Sequence, residues 1–261
     1  MKQGLTSIII PIANTDYPPA HYTGNCIGTI KYFTKLPYEI IVVDNASTVE
    51  LGGLIWEKVV DKYIKNEKNE GVPKSWNKGI SISEGEFICI ANSDIEVYDN
   101  WLEDLLEGLE HTAVCTVTPM YDLPFGRAKE AFERRKEWLD KTTHQYLRDF
   151  KDFSCFLVRR DTFDKVGLFD ENYGIGYGED QDFMFKIQEY GFKTNNTDYW
   201  QVRSNKRVNT HHIGMATGHT LGCQGLNIGE VMNKNQEYTK QKWGLNQYNQ
   251  PKFIWDKDAK I

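Results

Sequence analysis

Residues 87–96 read Phe-Ile-Cys-Ile-Ala-Asn-Ser-Asp-Ile-Glu, an apolar run of strand length that stops on a polar cluster. A half-solvated strand alternates apolar with polar side chains, so an uninterrupted run of this length predicts a strand buried on both faces. Residues 7–12 (SIIIPI) and 39–43 (EIIVV) repeat the pattern, and 113–118 and 153–158 extend it. Helical segments are expected between them. Ile55, Val59 and Tyr63 stand four apart in 54–63, and Trp101, Leu102, Leu105, Leu106 and Leu109 make an amphipathic stripe in 100–109. This alternation predicts an α/β fold with a mostly parallel central sheet flanked by helices. In an open sheet of that kind, ligands bind beyond the carboxyl ends of the strands. Attention therefore falls on Asp44-Asn45-Ala46-Ser47 after one strand and Asn92-Ser93-Asp94-Ile95-Glu96 after another.

The 261 residues carry 31 Lys and Arg against 37 Asp and Glu, a formal net charge of −6. That balance argues against a protein built to grip nucleic acid phosphates. No stretch approaches the roughly 18 consecutive apolar residues of a membrane-spanning helix. The start, MKQGLTSIIIPIANTD, lacks the longer apolar region of a signal peptide. A cytoplasmic location is expected. Five dispersed cysteines, Cys26, Cys89, Cys115, Cys155 and Cys223, read as reduced core thiols and not as a zinc site. Two stretches depart from the alternation. Residues 124–150 suggest a charged surface helix or an acceptor-binding flap, with Ala131, Phe132, Trp138, Leu139 and Tyr146 on one face. Residues 226–261 suggest a peripheral C-terminal helix and tail, whose Lys234, Lys240 and Lys242 with Tyr238 and Trp243 read as a solvated helix face, with peripheral membrane contact as the alternative.

Several residue types point to chemistry. Asp44 can accept hydrogen bonds from a ribose or base edge, or simply shape a turn. Asp94 can hold a hard divalent cation, because Mg²⁺ and Mn²⁺ bind through few carboxylates plus substrate phosphate oxygens. Gly174-Ile175-Gly176-Tyr177-Gly178 leads into Glu179-Asp180-Gln181-Asp182 and a helix whose buried stripe is Phe183, Ile187 and Tyr190. Acids at a helix N-terminus are also stabilised by the dipole alone. The glycine spacing is not GxGxxG and no strand closely precedes it, so this is not a dinucleotide fingerprint. His211 and His212 sit in VNTHHIGMAT.

In order along the chain, DNAS, then Asn69-Glu70-Gly71 and Asn77-Lys78-Gly79, then NSD resemble the nucleotide-sugar half of family 2 glycosyltransferases. The run FSCFLVRRDTFDKVGLFDENYGIGYGEDQDFMFKIQEYGF (153–192) resembles their acceptor half, particularly in rhamnosyltransferase-like members. HHIGMAT and Lys242-Trp243-Gly244 match further family features. The resemblance covers about 7–244 and implies a Rossmann-like A-type nucleotide-sugar transferase fold. It implies a domain over 1–225, divided into a donor half (1–98) and an acceptor half (99–225), with 226–261 outside it.

It also implies roles. Pro11, Ala13 and Asp44 would line the nucleobase pocket, with Asn69, Gly71, Asn77, Asn92 and Ser93 along the nucleotide sugar. Asn92-Ser93-Asp94 stands where the family has its DXD motif, its first Asp replaced by Asn92, so that Asp94 carries the metal contact. His212 fits the spacing to Thr217 better than His211 and would be a second metal ligand or a diphosphate contact. Asp180 matches the general base, and Glu179 would raise its basicity or hold acceptor hydroxyls. The expected activity is metal-dependent inverting glycosyl transfer with Mn²⁺ or Mg²⁺, from a UDP- or dTDP-sugar to a glycan, lipid-linked or protein acceptor. A nucleic-acid acceptor fits the acidic balance less well. Two other readings remain, a nucleotidyltransferase and a non-catalytic carbohydrate-binding relative. The first would carry a Gly-rich basic loop near the first strand, absent from SIIIPIANTD, and the second would not need both Asp94 and Asp180.

Overall fold

The computed structural model describes residues 1–13, 17–48, 56–117, 146–147, 152–199, 202–205, 208–214 and 225–256. The first part runs β1 (Lys2–Ile12), α1 (Tyr17–Phe33), β2 (Tyr38–Asp44), β3 (Lys62–Lys65), α2 (Val72–Ile82), β4 (Gly85–Ala91), β5 (Ile95–Val97) and α3 (Trp101–Gly108). It continues with β6 (Val114–Val117), β7 (Tyr146–Leu147), β8 (Asp152–Arg159), α4 (Arg160–Val166) and α5 (Glu179–Thr194). After these come β9 (Arg203–Asn205), β10 (Thr210–His212), α6 (Ile228–Trp243) and α7 (Lys252–Trp255).

Among the described residues, eight strands form one sheet in the order β3-β2-β1-β4-β8-β6-β9-β7. The registers make β3, β2, β1, β4, β6 and β9 run one way, with β8 and β7 opposed. The expected mostly parallel sheet is therefore present. Its apolar strands are explained by two-sided burial. Ile8 and Ile10 enter one core and Ile9 the other, as do Ile40 and Val42 against Ile41, and Cys89 and Ala91 against Ile88 and Ile90. Successive strand side chains leave opposite faces, so both sets must be apolar when helices cover both. On one face Cys26, Ile27 and Ile30 of α1 meet Trp101, Leu102 and Leu105 of α3. On the other, Trp76 and Ile80 of α2 join Phe163 of α4 and Phe183 and Ile187 of α5. The four described cysteines are free and buried, as expected; Cys223 lies outside the described residues.

Three expectations change. Residues 54–63 are not one helix: 56–59 are helical, and Tyr63 lies in β3, opposite Val42 of β2. The four-residue spacing was incidental, because Tyr63 is needed to extend the sheet beyond β2. Most of 124–150 lies outside the described residues, but Tyr146 pairs with Asn205 in a strand instead of facing a helix. The C-terminal helix is not merely peripheral. Lys242 and Tyr238 bond to Asp170, and Lys242 and Trp243 to Asp182. Lys242, Tyr238 and Trp243 thus bond to carboxylates of the protein itself. Among the described residues no helix is long and apolar enough to cross a membrane.

With β1 between β2 and β4, three neighbouring parallel strands end side by side at Ile12, Asp44 and Ala91. That edge positions the site.

Candidate active site

A cleft of about 730 Å³ opens over these strand ends. Pro11, Ala13, Asn69, Asn92, Ser93, Asp94, Glu179, Asp180 and His212, all singled out from the sequence, line it. Residues 118 positions apart in sequence meet there. β10 pairs antiparallel with β5, setting His212 opposite Ile95 and His211 opposite Glu96. Adjacent residues of a strand point oppositely, so the two imidazoles take different carboxylates. His212 Nε2 lies 3.2 Å from Asp94 Oδ1 in the cleft, and His211 Nδ1 lies 3.3 Å from Glu96 Oε2 away from it. The His211 contact, with further hydrogen bonds from Tyr98 and Asn25, holds the Glu96 carboxyl below its ordinary range against the opposing effect of burial.

Glu179 and Asp180 arrive on the first turn of α5. The loop before them takes backbone angles that favour glycine, with Gly174 at φ 61 and Gly178 at φ 121. Glu179 is buried, and its Oε2 has no hydrogen-bond partner. Burial, then the charge of Asp180, pushes its carboxyl well above the ordinary range. Asp180 Oδ1 accepts a hydrogen bond from Gln181 N at 2.7 Å.

Three residues expected at the nucleotide sugar stand behind the cleft wall and shape it. Asp44 is fully buried, its Oδ1 accepting from Ser47 N at 2.7 Å and its Oδ2 from Tyr63 Oη at 2.6 Å. Asn77 donates to Phe169 O at 2.9 Å and Glu171 Oε1 at 3.0 Å, and accepts from Phe169 N at 3.1 Å. Gly71, at φ 88, lets the glycine loop approach: a Cβ there would stand 1.8 Å from Gly174 O, and Val72 N donates to Ile175 O at 3.1 Å. Asn77 and Gly71 thus join α2 to the segment that delivers Glu179 and Asp180. Thr217 lies outside the described residues.

The sequence reading missed two features. Asn45 lines the cleft and is fixed by Ser75 Oγ at 2.7 Å and Asn66 Nδ2 at 2.9 Å; its place in the DNAS cluster was the available signal. The second is α6, which contributes Met232, Asn233, Gln236 and Thr239 to the wall. Asn235 of that helix donates to Tyr173 O at 2.9 Å and Gly176 O at 2.7 Å, and Thr239 Oγ1 lies 2.8 Å from Tyr173 Oη. Deep in the same joint, fully buried Asp182 accepts from Trp243 Nε1 at 2.8 Å and pairs with Lys242 at 2.6 Å. Burial opposes ionisation of Asp170, yet Lys242 and its hydrogen bonds hold its carboxyl down at about 2.

The donor set suits a divalent cation bound together with a phosphorylated ligand. Among the described residues the lining carries Asp94, Glu179 and Asp180 but no Lys or Arg. A divalent cation there would offset the charge of a diphosphate entering beside Asp94 and Asp180. Asp94 and His212 supply one carboxylate and one imidazole. No group of three or more His, Cys, Asp or Glu suited to a metal occurs among the described residues.

A mostly parallel sheet with acids and an imidazole over its strand ends defines the class: the A-type nucleotide-sugar transferase fold. The chain belongs to glycosyl transferase family 2, whose sequence model matches residues 7–167. It is 31% identical over 110 residues to glycosyltransferase GlyG of Streptococcus pneumoniae, covering 41% of this chain and 35% of that protein. It is 24% identical over 242 residues to polypeptide N-acetylgalactosaminyltransferase 13 of Homo sapiens, covering 78% and 40%. The chain thus spans less than half the length of these relatives. The fold is similar to GalNAc-T7 crystallised with UDP, GalNAc and Mn²⁺ (TM-score 0.60, 17% identity, 80% of this chain and 43% of that one). It is also similar to Staphylococcus aureus TarS 1-349 in complex with UDP-GlcNAc (TM-score 0.53, 16% identity, 80% and 58%).

Proposed function

We propose that the protein is a metal-dependent inverting glycosyltransferase, moving a sugar from a nucleoside-diphosphate donor to an acceptor hydroxyl in one displacement. One observation carries this reading: Asp94, His212 and Asp180 share a single cleft over the strand ends, whose described lining has no Lys or Arg.

Asp94 and His212 would hold Mn²⁺ or Mg²⁺, which supplies positive charge for the departing diphosphate. The imidazole ligand favours Mn²⁺ over the harder Mg²⁺. Pro11, Ala13, Asn45, Asn69, Asn92 and Ser93 would seat the nucleotide sugar in the donor half (1–98), with Asp44 holding the turn beneath the nucleobase. Asp180 acts as general base. It takes the proton of the acceptor hydroxyl as the new C–O bond forms at the anomeric carbon and the bond to diphosphate breaks. Attack from the face opposite the leaving group inverts the anomeric centre. Burial keeps Glu179 neutral near pH 7, so it can donate a hydrogen bond without adding a second charge beside Asp180.

UDP in both structural neighbours named above favours a UDP-sugar. The rhamnosyltransferase-like run 153–192 adds dTDP-deoxysugars to the donors worth testing. Nucleotide release from a UDP- and dTDP-sugar panel, with Mn²⁺ and with chelator, tests the reading. Release that requires the metal supports it; full release in chelator overturns the metal assignment.

A further inference from the structure

The family match ends at residue 167, but the cleft continues onto α6. The buried side of this helix is occupied by Asn235 and Thr239, which hold the glycine loop. Its other cleft-facing side chains are available. Met232 and Gln236 are one helical turn apart, with Asn233 beside them, and all three are exposed. Neither carboxamide of Asn233 and Gln236 has a hydrogen-bond partner among the described residues. Across the joint, Tyr177 also lines the cleft and sits at φ 71, a backbone region that a bulky side chain adopts only where its surroundings impose it.

We propose that Tyr177, Met232, Asn233 and Gln236 form an acceptor subsite for a neutral saccharide unit beside Asp180. This inference rests on the glycosyl-transfer reading above. A carboxamide donates and accepts at once, which matches neighbouring sugar hydroxyls. The tyrosine ring and the thioether offer apolar cover for the C–H face of a pyranose. Asp94 and Asp180 in the described lining oppose an anionic acceptor.

The test uses the full chain, Mn²⁺ and the nucleotide sugar giving the fastest release. Transfer is measured to p-nitrophenyl glycosides of neutral sugars, to p-nitrophenyl glucuronide, and to Ser/Thr-containing peptides. Neutral glycosides should be the accepted class. The double variant Asn233→Ala, Gln236→Ala should raise acceptor KM about tenfold through its lost hydrogen bonds, far more than any change in donor KM. Lys234→Ala, on the exposed surface of the same helix, should behave as the parent. Circular dichroism and Tm check that each variant is folded. Preference for peptides or the glucuronide overturns the saccharide assignment. An unchanged acceptor KM in the double variant, or an equal rise in donor KM, overturns the subsite. If donor turnover persists in those cases, glycosyl transfer stands and the subsite alone is lost. If the parent releases no nucleotide from any donor, the glycosyl-transfer reading fails first.

Discussion

His212 Nε2 stands 3.2 Å from Asp94 Oδ1, across a two-stranded ribbon that pairs residues far apart in the chain. The pairing makes a sharp distinction between adjacent histidines. His212→Ala and Asp94→Ala should raise the Mn²⁺ concentration for half-maximal nucleotide release by more than the roughly 10- to 100-fold that losing a supporting partner costs a metal site. His211→Ala should change it much less, since His211 engages Glu96 instead. A Mn²⁺ titration of all three variants decides. A larger effect from His211 would reverse the assignment.

Asp180→Asn keeps the size of the side chain but cannot take a proton. Transfer should fall by about 10²- to 10⁴-fold, with donor KM nearly unchanged. Asp182→Asn belongs to a different class of defect, because its carboxylate is fully buried against Lys242 and Trp243. It should lower stability by about 2 to 3 kcal/mol, a Tm drop of roughly 5 to 10 °C. Steady-state kinetics beside thermal melts separate the two outcomes. Asp182→Asn abolishing transfer at full stability would move the base.

Glu179 gives a pH signature. Its folded-state pKa is raised, so its contribution to stability is complete below the unfolded glutamate range and is lost as pH rises toward about 8. Glu179→Gln removes that loss. The Tm difference, variant minus parent, should therefore grow from pH 4 to pH 8. A flat difference would mean that the carboxyl ionises freely in the fold.

Gly71→Ala should be costly although no substrate contact is removed. The added Cβ would fall 1.8 Å from Gly174 O, and φ 88 is itself unfavourable for alanine. The glycine loop must shift, carrying Glu179 and Asp180 with it. Loss of transfer exceeding the loss of nucleotide binding, measured by calorimetry with UDP, is the expected pattern.

Asp44→Ala should weaken UDP binding and lower Tm together, because the carboxylate holds Ser47 N and Tyr63 Oη. Weaker binding at unchanged Tm would instead indicate a direct nucleobase contact.

Much of the fold was legible in local pattern. Residues 7–12, 39–43 and 87–91 are apolar on both faces, and that composition is stable only in a covered sheet. Polar residues at their ends, from Asp44 to Asp94, followed from the same logic. Spacing misled at Tyr63, where a four-residue period coincided with a strand that earns its place by pairing with β2. Local pattern cannot report such pairing, because the partner's backbone is distant in sequence.

What the sequence determined by itself was therefore the layered sheet, the residues at its carboxyl ends and the kind of chemistry they suit. Only tertiary structure decided which of them share a cleft. Strand register separated His212 from His211, and close approach of α2 turned Gly71 and Asn77 into supports for a loop about 100 residues away. Packing of α6 against the glycine loop made a polar C-terminal helix part of the wall. Each of these outcomes depends on hydrogen bonds and contacts between distant segments, whose energies exist only once the chain has closed on itself.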